Sequence, residues 1–341
     1  MVLFVYFEII TEKQLSQQKL LEEVKMESNI IRHNQNKLIV NEPTKIVQKI
    51  EELVLNWHIT QPCNFKCKYC YAKWAKTDQK RELWRDNTAT ENLLKCLYNY
   101  FNGATPNALQ KSLSWSSQRL SLAGGEPTIL RNSLQRIVFQ AKQIGFNVSL
   151  ITNGSSPDVI TECANGLDII GLSVDSVSTT INSQIGRMDK SGKCLTIDDV
   201  LSLIDRIRRK NLNIKIKINT VVNSVNSSED LSELIKRARP DRWKIMRMLP
   251  VTTTDLSVTD DEFKSFLKRH KAFESIITIE DNNDMEQSYI MVDPYGRFFQ
   301  NSQNDRGYVY SQPILNVGPR AAFKDIKFCP EKFTARYKTH K

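Results

Sequence analysis

No stretch of this 341-residue chain reaches the roughly 18 consecutive apolar residues that a bilayer-crossing helix needs, which excludes a membrane-spanning protein from the expectations. The apolar opening MVLFVYFEII lacks a basic leader and a small-residue cleavage site, and a charged stretch follows it, which argues against a secretory signal. A strand or an irregular leader is expected there, with Met26 as an alternative start because residues 11–45 are polar and carry no motif. Tandem repeats and low-complexity tracts are missing as well, so neither a solenoid nor a biased linker is expected. Paired cysteine spacing is absent outside residues 63–70 and the total of seven is odd, which excludes a secreted disulfide framework and favours a reducing cytoplasm.

What is present fits a soluble globular chain. Hydrophobic residues make up 40% and charged residues 25%, and the length allows one large α/β domain or two smaller ones. The net charge of +10 asks for an acidic partner: nucleic acid, anionic membrane or a phosphorylated small molecule. Lys and Arg are spread along the chain, and the densest run, RIRRK at 206–210, reads as a solvated helix face.

From residue 53 apolar runs alternate with helical patterns, the signature of βα repeats around a mainly parallel sheet. Six strands are expected, at 53–59, 119–124, 147–153, 168–175, 213–222 and 242–249, with helices near 86–102, 131–144, 158–164, 198–210 and 229–239. After residue 250 the regularity fades into a helix near 260–272 and short strands. Six βα units make either an incomplete barrel or an open doubly wound sheet, and in both the chemistry collects at the carboxyl ends of the strands. Four motifs sit there: CNFKCKYC (63–70), GGEP (124–127), TNGS (152–155) and SVDS (173–176).

Three cysteines within eight residues of one loop are a ligand pattern, since soft thiolates bind soft metals. Cys63, Cys67 and Cys70 would hold three corners of an iron-sulfur cubane and leave the fourth iron open. A zinc site completed by His58 is the alternative. The remaining Cys96, Cys163, Cys194 and Cys329 are scattered and read as structural. On the strand NIKIKIN, alternation places Lys215, Lys217 and Asn219 on one face, and on RWKIM it aligns Arg242 with Lys244. The polar face is either exposed to solvent or a barrel interior whose cations converge on a polyanion such as a triphosphate.

The CxxxCxxC loop after the first strand, with Tyr69 before its last cysteine and GGEP after the next strand, resembles the radical S-adenosylmethionine (SAM) superfamily. Within it, the chain is similar to the viperin family, in particular its prokaryotic members. The likeness runs from about residue 53 to near 335 through NWHITQPCNFKCKYCYAKW, AGGEP, LITNGS, LDIIGLSVDS, IGR (185–187), KINTVVN, RWK and SYIMVDPYGRF. Ala123 and Tyr71 depart from the animal pattern, and the amphipathic membrane helix of animal relatives is not visible.

The resemblance implies an α/β fold, a partial (βα)6 TIM-like barrel at 51–250, after a poorly defined leader at 1–50 and before an extension at 251–341 that covers the active site. It implies a [4Fe-4S] cluster on Cys63, Cys67 and Cys70, with S-adenosylmethionine as the missing fourth ligand. Cofactor contacts fall on Gly124, Gly125, Glu126, Asn153, Ser173 and Arg187, and GGEP is expected to offer free amides and the Glu126 carboxylate to the methionine ammonium. Nucleotide contacts fall on Asn56, Arg119, Lys217, Arg242, Lys244 and Tyr289. The implied reaction takes the 4' hydrogen of a ribonucleoside triphosphate (CTP, UTP or GTP) and expels the 3'-hydroxyl as water. A second electron and a proton, with Tyr289 as the donor candidate, complete a 3'-deoxy-3',4'-didehydro nucleotide that would terminate viral or phage RNA. A flavodoxin or ferredoxin would serve as reductant, with neither a stable nucleic-acid partner nor a membrane expected. The rivals are another radical SAM nucleotide- or RNA-modifying enzyme and a zinc-stabilised nucleic-acid binding module.

Overall fold

The structure, a computed structural model, describes residue 26 and residues 47–72, 79–102, 107–251, 253–302 and 307–336. Most of the expected leader and the basic tail YKTHK (337–341) lie outside these residues. Internal packing divides the chain at residue 46, so that residues 47–341 form one unit.

Ten strands share one sheet: β1 (Glu52–His58), β2 (Ser117–Ala123), β3 (Asn147–Thr152), β4 (Ile169–Ser173), β5 (Lys215–Val222), β6 (Arg242–Arg247), β7 (Ile277–Glu280), β8 (Ile290–Val292), β9 (Arg297–Ser302) and β10 (Gly307–Pro313). Their order is β10-β9-β8-β1-β2-β3-β4-β5-β6-β7. Every pairing from β8 to β7 is parallel, and β9 and β10 add an antiparallel hairpin at one end. Among the described residues β10 and β7 do not pair, so the barrel is incomplete. The expected α/β partial barrel is therefore the observed fold. Its six βα strands gain four more from the irregular C-terminal stretch.

Period-two alternation decides which side chains face the helices. Leu53, Leu55 and Trp57 of β1, Ile216 and Ile218 of β5, and Trp243 and Ile245 of β6 are fully buried in the main core. Helices α1 (Asn87–Asn102), α2 (Asn132–Ile144), α3 (Pro157–Cys163), α4 (Thr179–Ile185), α5 (Ile197–Lys210), α6 (Ser232–Ala238) and α7 (Asp260–Arg269) connect the strands. α5 shows why such sequences form helices. Thr196 and Asp199 close a reciprocal cap at its start, its last turn is basic, and Val200, Leu203, Ile204 and Ile207 form its buried stripe. The RIRRK run is thus the end of an amphipathic helix, where Arg208 donates to the carbonyls of Ala238 and Arg239.

The opposite face of the sheet carries the polar residues. Cross-strand register sets Lys217 beside Gly171 and Arg242, and Asn219 beside Ser173 and Lys244. It sets Asn56 beside Ser121 and Met291. α4 was not expected, because its polar sequence TTINSQI carries only two apolar residues, Ile181 and Ile185. Ser178 caps its start and Gly186, at φ +86°, ends it.

Candidate active site

The cysteine loop leaves the carboxyl end of β1 and is held by backbone on two sides. Gly125 N donates to Thr60 O at 2.7 Å and Glu126 N to Pro62 O at 2.9 Å, while Lys66 N and Lys68 N donate to Gly186 O and Ile185 O at 3.2 and 2.9 Å. A Cβ on Gly125 would lie 2.2 Å from Gln61 O and Pro62 O, and one on Gly186 would lie 2.3 Å from Lys66 O. These glycines let strand end and helix end meet the loop directly. The expectation of free GGEP amides is corrected for Gly125 and Glu126, whose N–H groups bind this loop.

Glu126 is buried and already has donors on both oxygens. Oε1 accepts from Thr128 N, Thr128 Oγ1 and Thr152 Oγ1, and Oε2 accepts from Asn153 N at 2.7 Å. Burial pushes its carboxyl above the usual range, against the pull of those hydrogen bonds. It anchors the carboxyl ends of β2 and β3 to each other. Asn153 in turn donates through Nδ2 to Asn64 Oδ1 at 2.8 Å and toward Cys63 Sγ at 3.9 Å.

On the other side Arg187 is buried and reaches four groups. It donates to Ser173 O at 2.5 Å and Tyr69 Oη at 3.1 Å, approaches Cys67 Sγ at 3.9 Å, and pairs with Asp175 at 3.4 Å. Tyr69 also donates to Asp175. Ser173 thus enters through its carbonyl. Glu82, a residue that carries no motif, accepts from Thr60 Oγ1, Gln61 N and Trp84 Nε1 at 2.8, 2.8 and 2.7 Å and fixes the start of the loop.

Cys63 is exposed and Cys67 and Cys70 are half-buried. Burial pushes the Cys63 thiol up to about 11 and Cys67 up to about 12, so without metal both are neutral. Among the described residues no three His, Cys, Asp or Glu side chains are drawn together at metal-holding distance. Neutral thiols have no charge to hold them on a common centre, and thiolates form as a metal displaces their protons. Three soft donors on one braced loop fit a cluster carried by three thiolates. His58 packs edge-on against Tyr71 and Phe299, with ring centres 5.8 and 5.3 Å away, and burial lowers it to about 3.

The cations collect on the polar face of the sheet. Lys244 Nζ pairs with Glu280 Oε2 at 2.6 Å and donates to Tyr289 Oη at 2.8 Å. Arg336 pairs with Glu280 Oε1 at 2.9 Å, and Arg119 pairs with Glu52 at 2.9 Å. Lys217 makes no hydrogen bond or ion pair among the described residues. Burial and then the neighbouring Lys244 hold it well below the usual lysine range, with Arg119 and Arg242 adding and Glu280 opposing. Asn56 Nδ2 donates to Ile290 O at 3.4 Å. Five cationic side chains therefore face two carboxylates. Glu280 and Arg336 were missed in the sequence because neither belongs to a motif. For Glu280, the alternation in ITIE was the one available signal.

The comparisons with known proteins agree with this geometry. The radical SAM superfamily model matches residues 57–238. An S-adenosylmethionine-dependent nucleotide dehydratase of Psychrobacter lutiphocae is 43% identical over 310 residues, covering 90% of this chain and 98% of that protein. The chain belongs to the radical SAM superfamily and its nucleotide dehydratase family. A second dehydratase of this family, from Pseudoalteromonas ulvae, is 39% identical and covers 85% of this chain and 94% of its own. AdoMet-bound anSMEcpe shares the radical SAM fold at a TM-score of 0.55 and 14% identity, over 86% of this chain and 81% of that one. The resemblance to the prokaryotic viperin-like dehydratases is borne out, as are the superfamily's [4Fe-4S] cluster and S-adenosylmethionine. Among the described residues no helix is long and apolar enough to cross a membrane.

Proposed function

We propose that this chain converts a ribonucleoside triphosphate to its 3'-deoxy-3',4'-didehydro analogue, a chain terminator for viral or phage RNA. The observation that carries the reading is the surplus of cations on the polar face of the barrel that also presents the three-thiol loop. A surplus of this kind is costly unless an anion joins it, and a triphosphate supplies several charges at once.

Cys63, Cys67 and Cys70 hold the cluster, and Gly124, Gly125, Glu126, Asn153, Ser173 and Arg187 shape the S-adenosylmethionine site. Glu126 acts there mainly by fixing Asn153, and Arg187 by tying Ser173 and Asp175 to the cysteine loop. When bound, the cluster and S-adenosylmethionine supply the one-electron chemistry that takes a hydrogen atom from an unactivated carbon. Lys217, Arg242 and Lys244 bind the triphosphate, and Arg119 contributes what charge Glu52 leaves it. Asn56 faces the ribose, and the Tyr289 hydroxyl gives its proton to the departing 3'-oxygen. The proposed role of the extension at 251–341 as a cover of the site is supported by Glu280, Tyr289 and Arg336, which all come from it. A small acidic flavoprotein or ferredoxin in the cytoplasm supplies electrons.

The test is anaerobic incubation of reconstituted protein with S-adenosylmethionine, reductant and each of the four triphosphates, followed by mass spectrometry. One triphosphate should lose the mass of a water while 5'-deoxyadenosine accumulates. Unchanged triphosphates alongside cofactor cleavage would overturn the proposal.

A further inference from the structure

Glu280 ends β7 at 2% exposure. Its Oε2 receives both Lys244 Nζ, at 2.6 Å, and the Tyr289 hydroxyl, and its Oε1 receives Arg336 Nε at 2.9 Å. Lys244 Nζ also donates to the Tyr289 oxygen at 2.8 Å, which closes a ring of two proton donors on one accepting carboxylate. From the C-terminal side the Arg336 guanidinium lies 3.3 Å over the Tyr289 ring and donates to Ser288 O at 2.5 Å. A buried carboxylate in a polyanion site competes with the incoming phosphates for Lys244. Substrate binding therefore does not account for Glu280, whereas proton handling at Tyr289 does.

We propose that Glu280 is a positioning residue that holds Lys244 and Tyr289 as one proton-transfer unit, in which Lys244 restores the proton that Tyr289 delivers. The inference rests on the dehydratase reading above. After the 4' hydrogen is removed, the Tyr289 O–H bond breaks and its proton joins the 3'-oxygen. The C3'–O bond breaks, water leaves, and one electron from the reductant completes the C3'–C4' double bond. The phenolate then takes a proton from the Lys244 ammonium, and the neutral amine is reprotonated from solvent. The groups facing Lys244 are Glu280, Tyr289, Arg336, Arg242 and Lys217. Burial lowers Lys244 to about 8, with Glu280 holding it up and Arg336 pushing it down.

The experiment compares the reconstituted full chain with its Glu280→Gln and Arg336→Gln variants. In the parent, kcat/KM should fall as the pH rises through about 8, as Lys244 of the free protein loses its proton, and kcat should fall at a higher pH, because bound phosphates hold that proton on. E280Q should lose roughly tenfold or more in kcat. Its KM for the triphosphate should not rise, because an anion has left a cationic site. Its alkaline limb should move to lower pH, and that of R336Q to higher pH. The same opposite shifts should appear in the pH dependence of Lys244 acylation, read by mass spectrometry without turnover. Unmoved limbs and unmoved labelling midpoints in a parent that dehydrates nucleotides would overturn the proposal. So would a raised KM with unchanged kcat in E280Q. If the labelling midpoints shift but no triphosphate loses water, the ring stands and the dehydratase reading falls.

Discussion

A single carboxylate explains why GGEP is followed by Thr and not by any residue. Glu126 accepts from both polar groups of Thr128 as well as from Thr152 and Asn153, so one side chain closes its own turn and fastens the next strand. Truncation would leave those donors buried and unpaired, a cost of about 2–4 kcal/mol. Glu126→Ala should therefore lower the urea midpoint of the cluster-free protein, before any cofactor is bound. An unchanged midpoint, with only S-adenosylmethionine affinity lost, would make Glu126 a direct ligand of the cofactor and nothing more. Glu82 follows the same logic at the start of the cysteine loop, yet its neighbours in the sequence, RELWR, give no sign of it.

At the scale of elements, the loop is positioned by where α4 stops. Gly186 adopts φ +86° and lets Lys66 O pass where a Cβ would sit at 2.3 Å, whereas Gly192 adopts φ +81° with nothing within 4 Å. Gly186→Ala and Gly192→Ala share a backbone strain of about 1 kcal/mol. Only the first should displace the loop. Iron and sulfide bound per chain after reconstitution should drop in G186A and stay at the parent level in G192A; equal incorporation in both would refute this role for the helix end. The six βα strands were legible from alternation such as that in NIKIKIN and apolar runs such as DIIGLSVD, and the longer helices because their apolar stripes exceed two turns. α4 escaped because TTINSQI holds only two apolar side chains, Ile181 and Ile185, and β7 to β10 because their partners are set by sheet closure rather than by local pattern. In the site, the residues within motifs were legible. Glu82, Glu280 and Arg336, whose partners lie 21, 36 and 56 positions away, were not.

Across the whole molecule, the charge balance links surface and interior. The net charge of +10 attracts anions from a distance, and the barrel then offers them Lys217 and Lys244, both held below the ordinary lysine range by burial and by neighbouring cations. A bound triphosphate reverses that repulsion and raises both groups. At a pH near 8, where Lys244 is partly deprotonated, binding should therefore take protons up from the buffer. Affinity should weaken as the pH rises further, because the deprotonated site must recharge before it can hold the phosphates. Calorimetry in two buffers of different ionisation enthalpy measures this uptake directly, and Lys217→Gln should reduce it and weaken triphosphate more than monophosphate binding. Proton release on binding, or an affinity indifferent to pH between about 7 and 9, would place the phosphates away from these lysines.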